Sequence, residues 1–438
     1  MLPANPAKIA GPGLAVPSST PQIEAKPALE VATPASAHAV RAPAAAPRDT
    51  DPGRPELSIA IPCLNEAETI AACVASAVRC LRENHIEGEV VVGDNGSTDG
   101  SQELARRAGA RVVPVPRRGY GSALMGAIEA SRGTYVVMGD SDGSHDFAEA
   151  VTLLHKLREG YDLVMGNRFR GGIMPGAMSW KNRWVGNPVL TGIGRLVYRA
   201  PVADFHCGLR GFTRSAYDAL RLRTTGMEFA SEMVIKATVA RLRIAEVPIT
   251  MHKDGRSRPP HLRPWRDGWR HLRFMLLLSP RWTLVYPGLG LTLLGLAIGL
   301  PLAMGLDRVG NVQLGPHTLA GAGFMILVGY TALTVGIAAR VYAMQEELGP
   351  PSSPFVRRLT DLFSLERGLL AGGALVISGL AILAYLVARW LFEWWGAMPL
   401  ERTIRPMLVG GTMVALGVQT VLMSFFYSML AVPLRHAR

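Results

Sequence analysis

Short apolar runs alternate with segments of helical periodicity between residues 57 and 253. The apolar runs predict buried strands at Leu57–Pro62, Glu89–Asp94, Arg111–Val115, Thr134–Asp140 and Asp162–Gly166. Apolar residues three or four positions apart predict helices near 67–82, 100–108, 119–131 and 146–159. Strands that alternate with crossover helices form a mostly parallel sheet covered on both faces. The pattern therefore predicts an α/β domain over residues 57–253.

The last third of the chain contains four long stretches without a charged residue. They are Trp282–Leu306, Val309–Ala339, Gly368–Ala388 and Pro406–Leu434. A bilayer core about 30 Å thick requires roughly 20 helical residues. The sequence therefore predicts an α-helical transmembrane domain of four helices in residues 282–438.

The charges between these stretches predict which side of the membrane each loop faces. One set of segments is rich in basic residues: Lys253, Arg256, Arg258, Arg263, Arg266, Arg270, Arg273, Arg281, Arg340, Arg357, Arg358, Arg367, Arg435 and Arg438. The opposite loops carry Arg308, Arg402 and Arg405. We therefore expect both termini and the α/β domain on the cytoplasmic side.

Two further segments flank the α/β domain. Residues 1–56 are rich in Ala and Pro and are predicted to be a disordered tail, with no apolar core of a secretory signal. Residues 254–281 form a basic segment in which arginines alternate at helical spacing with aromatic and apolar residues. This pattern is typical of a helix in the interface of an anionic membrane, and a nucleic-acid patch is the competing interpretation. Because the segment leads directly into a spanning stretch, we predict membrane lipids and no nucleic acid as its partner.

Composition restricts the class of protein. Hydrophobic residues make up 49% of the chain and charged residues 18%, with a net charge of +12, and the mean hydropathy is +0.20. These values exclude an intrinsically disordered chain and argue against an all-soluble enzyme. The four cysteines show no CxxC spacing, so neither a zinc site nor a disulfide scaffold is indicated.

Polar residues follow three of the predicted strands. The first strand ends in Pro62-Cys63-Leu64-Asn65-Glu66, the second in Asp94-Asn95-Gly96-Ser97-Thr98-Asp99, and the fourth in Asp140-Ser141-Asp142. Open parallel sheets bind ligands at the carboxyl ends of their strands. Asp140 and Asp142 could ligate Mg²⁺ or Mn²⁺, which in turn binds a diphosphate, although an isolated Asp-x-Asp is also common in solvated turns.

The order and spacing of these motifs resemble inverting glycosyltransferase family 2, and within it the polyprenyl-phosphate glycosyltransferases, the dolichyl-phosphate mannose or glucose synthases and their bacterial relatives. The resemblance covers about residues 57–283. Its further motifs are Gly119-x-Gly121, Val164-Met165-Gly166-Asn167-Arg168-Phe169, Asp204-Phe205-x-x-Gly208-Leu209-Arg210 and Gly255-Arg256-Ser257-Arg258. The mannosyl branch often has Ala and Gln where Ser141 and Ser144 stand here, so the donor sugar and nucleotide stay open.

The resemblance implies a GT-A fold, which is a Rossmann-like, mostly parallel sheet, and a set of site residues. Donor binding falls on Pro62, Asn65, Glu66, Asp94, Gly119, Arg256, Ser257 and Arg258. The metal and diphosphate would lie near Asp140 and Asp142, and the lipid phosphate near Arg168 and Arg183. The implied partners are a UDP- or GDP-hexose and a polyprenyl phosphate.

The sequence thus predicts a metal-dependent hexosyltransferase of the bacterial inner membrane, with its catalytic domain cytoplasmic. One alternative is a processive polysaccharide synthase, which typically carries Gln-x-x-Arg-Trp on its interfacial helix. Here Arg281-Trp282 is present, but Leu278 stands at the Gln position. A second alternative is a non-enzymatic lipid-carrier flippase or scaffold, against which the intact Asp94, Asp140 and Asp142 argue. Assembly into a homo-oligomer stays open.

Overall fold

A computed structural model describes residues 53–258, 264–306, 308–309, 311–345, 365–392 and 400–431. Residues 1–52 of the predicted disordered tail lie outside this range. So do five residues that entered the charge argument: Arg263, Arg357, Arg358, Arg435 and Arg438.

A seven-stranded sheet forms the centre of the α/β domain. Its strands are β1 (Leu57–Cys63), β2 (Gly88–Asp94), β3 (Arg111–Pro114), β4 (Tyr135–Met138), β5 (Leu163–Asn167), β6 (Arg210–Thr213) and β7 (Ile244–Pro248). Their order is β3-β2-β1-β4-β6-β5-β7, and β6 runs antiparallel to both of its neighbours. All other pairs are parallel. The predicted mostly parallel sheet is confirmed, and β6 and β7 extend it beyond the five predicted strands.

Helices cover both faces of this sheet. They are α1 (Ile70–Glu83), α2 (Ser101–Arg107), α3 (Tyr120–Ala130), α4 (Ala150–Arg158), α5 (Arg168–Gly171), α6 (Asn187–Tyr198), α7 (Arg214–Leu220) and α8 (Phe229–Val239). Because side chains of a strand alternate between faces, Ile59 and Ile61 of β1 pack with α1 and α4, whereas Ala60 packs with α3 and α8. Every residue of β1 is buried, as expected for a central strand covered on both sides.

The remaining elements lead into the membrane-spanning region. Helix α9 (Pro264–Leu277) is followed by a π-helical turn (Arg281–Val285) and α10 (Tyr286–Ala303). A short hairpin of β8 (Arg308–Val309) and β9 (Val312–Gln313) precedes α11 (Pro316–Gln345), α12 (Leu365–Phe392) and α13 (Leu400–Ala431). Four segments are long and apolar enough to cross a membrane: Arg281–Ala303, Pro316–Ala343, Leu365–Phe392 and Thr403–Leu430. The predicted four-helix region is confirmed.

Close glycine contacts join α12 to α13. A Cβ atom on Gly372 would lie 2.7 Å from the carbonyl oxygen of Gly417, and one on Gly417 would lie 2.6 Å from that of Gly372. Gly379 makes the same approach to Gly410 two turns further along α12. Helices in a membrane associate mainly through such van der Waals packing, for which small residues allow close approach.

We predict that Gly372→Ala destabilises this helix pair by about 1–3 kcal/mol, because the new methyl group must push the two backbones apart. Gly373→Ala is the matched control, since a Cβ there would find no atom within 4 Å and alanine favours helix. Thermal unfolding in detergent should therefore show a lower midpoint for Gly372→Ala only. Equal midpoints for the two variants would contradict the packing argument.

Candidate active site

The carboxyl ends of β1, β2 and β4 meet at one edge of the sheet. Cys63 pairs in register with Asp94, the last residue of β2, and Pro62 pairs with Gly93. Met138, the last residue of β4, pairs with Ala60. The loops after these strands therefore start side by side, and they carry most of the predicted donor and metal residues.

Asp94 organises the turn after β2. Its carboxylate is 2% exposed. One oxygen accepts hydrogen bonds from the backbone N–H of Gly96 (3.0 Å) and of Ser97 (3.2 Å) and from Nε2 of Gln102 (2.7 Å). The other oxygen has a single longer contact, 3.3 Å to the same Ser97 N–H. Asp94 thus has a fixed position, with one oxygen only weakly engaged by the protein.

Asparagine side chains connect this turn to the neighbouring loops. Asn65 accepts from the backbone N–H of Thr98 (2.8 Å), and its own N–H donates to Oγ of Ser97 (2.9 Å). The side chain of Asn95 accepts from the N–H of Gly119 at 2.7 Å. Gly119 has a φ of 133°, and a Cβ there would collide with the carbonyl of Thr225, so only glycine fits. The structure therefore brings Asn65, Asp94 and Gly119 together.

Residues 252–258, here called the arginine strap, follow β7 in the chain and cross this edge of the sheet. Arg256 places Nη1 3.2 Å from Oε1 of Glu66, and Nη2 2.9 Å from both Oδ2 of Asp142 and Oδ2 of Asp254. Arg258 donates to the same Oε1 of Glu66 at 2.9 Å. The strap therefore joins the loops after β1 and β4 by charge-assisted hydrogen bonds, which are stronger than neutral ones.

The strap is held by further contacts along its length. The backbone N–H of Gly255 donates to the carbonyl of Asp142 (2.9 Å), and that of His252 donates to the carbonyl of Ser144 (2.9 Å). Ser257 donates through its N–H (2.6 Å) and hydroxyl (2.5 Å) to the carboxylate of Glu68. All three predicted strap residues, Arg256, Ser257 and Arg258, thus reach the site.

Glu66 is the most buried carboxylate in contact with the strap. It is 5% exposed, and its Oε2 atom has no hydrogen-bond partner among the described residues. Burial raises the pKa of Glu66 above its usual value, although Arg256 and Arg258 oppose that shift. A buried carboxylate oxygen without a partner is costly, so this atom is available for a donor group of a ligand.

Asp140 has different partners from Asp142. Its Oδ1 accepts from the hydroxyl of Tyr120 at 2.7 Å, and Nε2 of His145 lies 3.6 Å from its Oδ2. Burial tends to raise the pKa of Asp140, but His145 and Tyr120 outweigh burial and hold it below its usual value. Burial and Asp140 together raise the pKa of Tyr120, so the phenol keeps its proton and donates. Asp140 is therefore an anion at neutral pH.

The carboxylates of Asp140 and Asp142 fit a hard divalent cation by the chemistry of their oxygens. Mg²⁺ is commonly held by one or two carboxylates together with substrate phosphates and water. No group of three or more acidic, His or Cys side chains arranged as metal ligands occurs in the described part of the chain. A cation here would thus draw its other ligands from the substrate and solvent, and it would compete with Arg256 for Asp142.

Arg168 is part of a buried ion pair beside this edge. Its Nε and Nη2 donate to the two oxygens of Asp204, each at 2.7 Å, and its backbone N–H donates to the same carboxylate at 3.0 Å. Asp204 is fully buried. Burial lowers the pKa of Arg168, but the bond with Asp204 outweighs burial and raises it. Two of the three guanidinium nitrogens of Arg168 therefore donate to Asp204, and Nη1 is the nitrogen that could donate to a ligand.

Arg183 is not brought together with Arg168 by any contact in the described structure. It is exposed, in a π-helical turn (Asn182–Gly186) that precedes α6, and its guanidinium lies 5.5 Å from the ring centre of Trp184. The helical segment 180–198, which includes this turn and α6, exposes large apolar side chains: Trp180, Trp184, Val185, Val189 and Leu196. Sequence analysis missed this second amphipathic segment, although the exposed residues fall at helical spacing.

Two hydrogen bonds attach α9 to helices α6 and α8 of the α/β domain. The hydroxyl of Tyr198, at the end of α6, donates to the carbonyl of Met275 at 2.5 Å. On α8, Oγ of Ser231 lies 2.8 Å from Nδ1 of His271 and 3.2 Å from Nε2 of His206. Burial lowers the pKa of His271 to about 4, so it is neutral at physiological pH. Helix α9 exposes Trp265, Trp269 and Leu277 on its outer side.

Comparison with known proteins agrees with this architecture. Residues 58–221 match the model of glycosyl transferase family 2, and residues 337–431 match that of the glycosyltransferase family 2 C-terminal transmembrane region. The low-salt glycan biosynthesis hexosyltransferase Agl6 of Haloferax volcanii is 39% identical over 372 residues, which cover 85% of this chain and 88% of that protein. The dolichyl-phosphate hexose transferase of the same organism is 30% identical over 195 residues, 44% of this chain and 82% of its own.

Among solved structures, glucosyl-3-phosphoglycerate synthase from Mycobacterium tuberculosis, in complex with Mn²⁺, UDP and glucosyl-3-phosphoglycerate, is 26% identical with a TM-score of 0.41. The alignment covers 51% of this chain and 78% of that one. The family matches and the long alignment with the Haloferax hexosyltransferase decide the classification. With its sheet domain and four spanning helices, this chain is an integral membrane protein that belongs to glycosyltransferase family 2.

Proposed function

We propose that this protein transfers a single hexose, with inversion, from a UDP- or GDP-hexose to the phosphate of a polyprenyl phosphate at the cytoplasmic face of the membrane. The observation that carries the proposal is an acidic, arginine-closed sheet edge in a domain that exposes tryptophans just before α6 and on α9, which leads into the first span. The similarity to a hexosyltransferase and to a dolichyl-phosphate hexose transferase supports it.

The donor would bind along the carboxyl ends of β1 and β2. In this proposal the weakly engaged oxygen of Asp94 accepts from the nucleoside, while Pro62, Asn65 and Gly119 shape the surface around it. Glu66 offers its unpartnered Oε2 to a donor hydroxyl or N–H group. The strap residues Arg256, Ser257 and Arg258 would close over the diphosphate.

A divalent cation, Mg²⁺ or Mn²⁺, would be held by Asp140 and Asp142, where it would act as a Lewis acid toward the leaving diphosphate. Arg256 now neutralises Asp142, so its guanidinium would be released when the cation binds there. The released guanidinium of Arg256 would then bind the phosphates of the donor. This exchange would couple binding of the donor to closure of the strap.

The chemistry of the acceptor explains why cations matter more than a base. A phosphate monoester is already an anion at neutral pH, so its oxygen can attack the anomeric carbon without losing a proton to a side chain. The bond from that carbon to the diphosphate breaks, and the nucleoside diphosphate leaves with the electron pair. We propose that Arg183 and the remaining nitrogen of Arg168 hold the acceptor phosphate, because guanidinium groups form strong charge-assisted hydrogen bonds with phosphate.

The metal proposal predicts that Asp142→Asn loses most transfer activity and weakens Mn²⁺ binding in the presence of UDP or GDP by at least about tenfold, because one carboxylate ligand is removed. Electron paramagnetic resonance titration measures the free Mn²⁺ directly. Asp218→Asn, at an exposed acid on α7, is the control and should behave as wild type. Normal Mn²⁺ binding by Asp142→Asn, or full wild-type activity in chelator, would refute the metal site.

The acceptor proposal predicts different outcomes for its two arginines. Arg183→Ala should lower the rate with undecaprenyl phosphate about tenfold to a hundredfold at unchanged thermal stability, since this residue is exposed. Arg168→Ala should also destabilise the domain by about 3–5 kcal/mol, because Asp204 would be left as a buried, unpaired charge.

Labelled-sugar transfer in detergent and thermal unfolding measure these two effects, with Arg195→Ala on the exposed side of α6 as the control. Loss of donor affinity in Arg183→Ala would move that residue to the nucleotide side. Equal transfer to the unphosphorylated polyprenol would refute the phosphate nucleophile. Products longer than one sugar would favour the processive synthase instead.

The orientation proposal rests on the basic residues of α9 and of the segment after α11. A reporter active only outside the cytoplasm should stay inactive when fused after Arg438 and become active when inserted next to Gly315, between the first two spans. Activity at both positions would contradict the number of spans, because three spans separate them, and activity only of the fusion after Arg438 would contradict their direction.

A further inference from the structure

Arg340 is a buried charge inside a spanning segment. It lies on α11, three residues before the end of the span Pro316–Ala343, and is only 7% exposed. Its Nε atom has no hydrogen-bond partner, and no carboxylate pairs with it among the described residues. Ionisable residues in spanning helices are costly and are normally paired or placed at a functional site. Within the described part of the chain, nothing therefore compensates the charge of Arg340.

The packing of α11 places Arg340 beside a second arginine. A Cβ on Gly336 would lie 2.8 Å from Leu284 and 2.9 Å from Val285, in the π-helical turn that begins the first span. Because the two segments run antiparallel, one turn beyond Gly336 on α11 corresponds to one turn before Val285, which is Arg281. The two guanidinium groups also interact electrostatically.

Both arginines lie at the same end of their spans, since Arg281 is the first residue of one span and Arg340 is close to the last of the next. This end is also the one joined to α9 and the catalytic domain, and Arg281 acts electrostatically on Tyr198 of α6. Like charges repel one another, and an anion bound between them would offset that repulsion. Lipid phosphates are the anions found at the headgroup level of a membrane.

We infer that Arg340 and Arg281 bind the phosphate group of a membrane lipid, in a site between α11 and the π-helical turn. Two classes of lipid carry such a phosphate group: the phospholipids of the bilayer, which have acyl chains, and polyprenyl phosphates, which have a prenyl chain. The inference does not depend on the transfer reaction, because it concerns binding alone.

Binding of phosphatidylglycerol and of undecaprenyl phosphate to the delipidated full-length protein tests the inference, by native mass spectrometry and by the thermal stabilisation that each lipid produces. Arg340→Gln should weaken binding of at least one lipid about tenfold to a hundredfold, and Arg340→Lys should weaken it less. The matched control is Arg367→Gln, an exposed arginine near the start of α12 at the same side of the membrane.

The lipid-free midpoint separates a binding role from a structural one. A buried charge that no described residue pairs adds no stability, so Arg340→Gln should unfold at the same or a higher temperature than wild type when no lipid is present. The lipid whose stabilisation is lost identifies the source of the phosphate. Wild-type affinity of Arg340→Gln for both lipids, or a lower lipid-free midpoint with lipid stabilisation intact, would overturn the inference.

Discussion

Repulsion between carboxylates at the end of three neighbouring strands is the constraint on which the catalytic domain depends. Glu66, Asp94 and Asp142 follow β1, β2 and β4, and the register of these strands brings the three loops together. Arg256 offsets this repulsion by contacting two of these loops and Asp254 at once. Arg256 is remote from them in sequence, so the closed edge forms only when the whole domain has folded. Under our proposal, a cation that binds Asp142 would therefore compete with Arg256 of the strap.

The same domain is tied to the membrane by buried polar contacts rather than by a linker alone. Helix α9 is joined to α8 through Ser231 and His271 and to α6 through Tyr198. Because His271 is buried and neutral, this contact persists over the physiological pH range. Under our proposal, the fixed position of α9 sets the height of the acidic edge above the headgroups, which a flexible tether could not do.

Sequence patterns could predict β1–β5 and the four spans because each is a nearly pure apolar run bounded by turn residues or charges. They missed β6 and β7: β6 is four residues long and begins with the buried Arg210, and β7 is mixed in polarity. The meeting of Glu66, Asp94 and Asp142 at one sheet edge was predictable because each of them stands at or soon after the end of a predicted strand. The partners of Asp140 were not, since Tyr120 and His145 meet it only through tertiary packing, which no local spacing encodes.

Arg168 and Arg183 show why residue type alone does not decide a role. Both are arginines in segments that resemble an acceptor site, yet Arg168 is locked to Asp204 while Arg183 is exposed over Trp184. The energetic cost of burying Arg168 is compensated within the protein, so its position is fixed before any ligand arrives. Arg183 has no such carboxylate among the described residues and stands on a helix whose exposed tryptophans suit the headgroup region. Arg340 in the span resembles Arg183 in having no carboxylate partner among the residues that the structure describes, and it resembles Arg168 in being buried. That combination is the one for which a bound anion offers the largest gain, because desolvation has already been incurred and only the partner is missing.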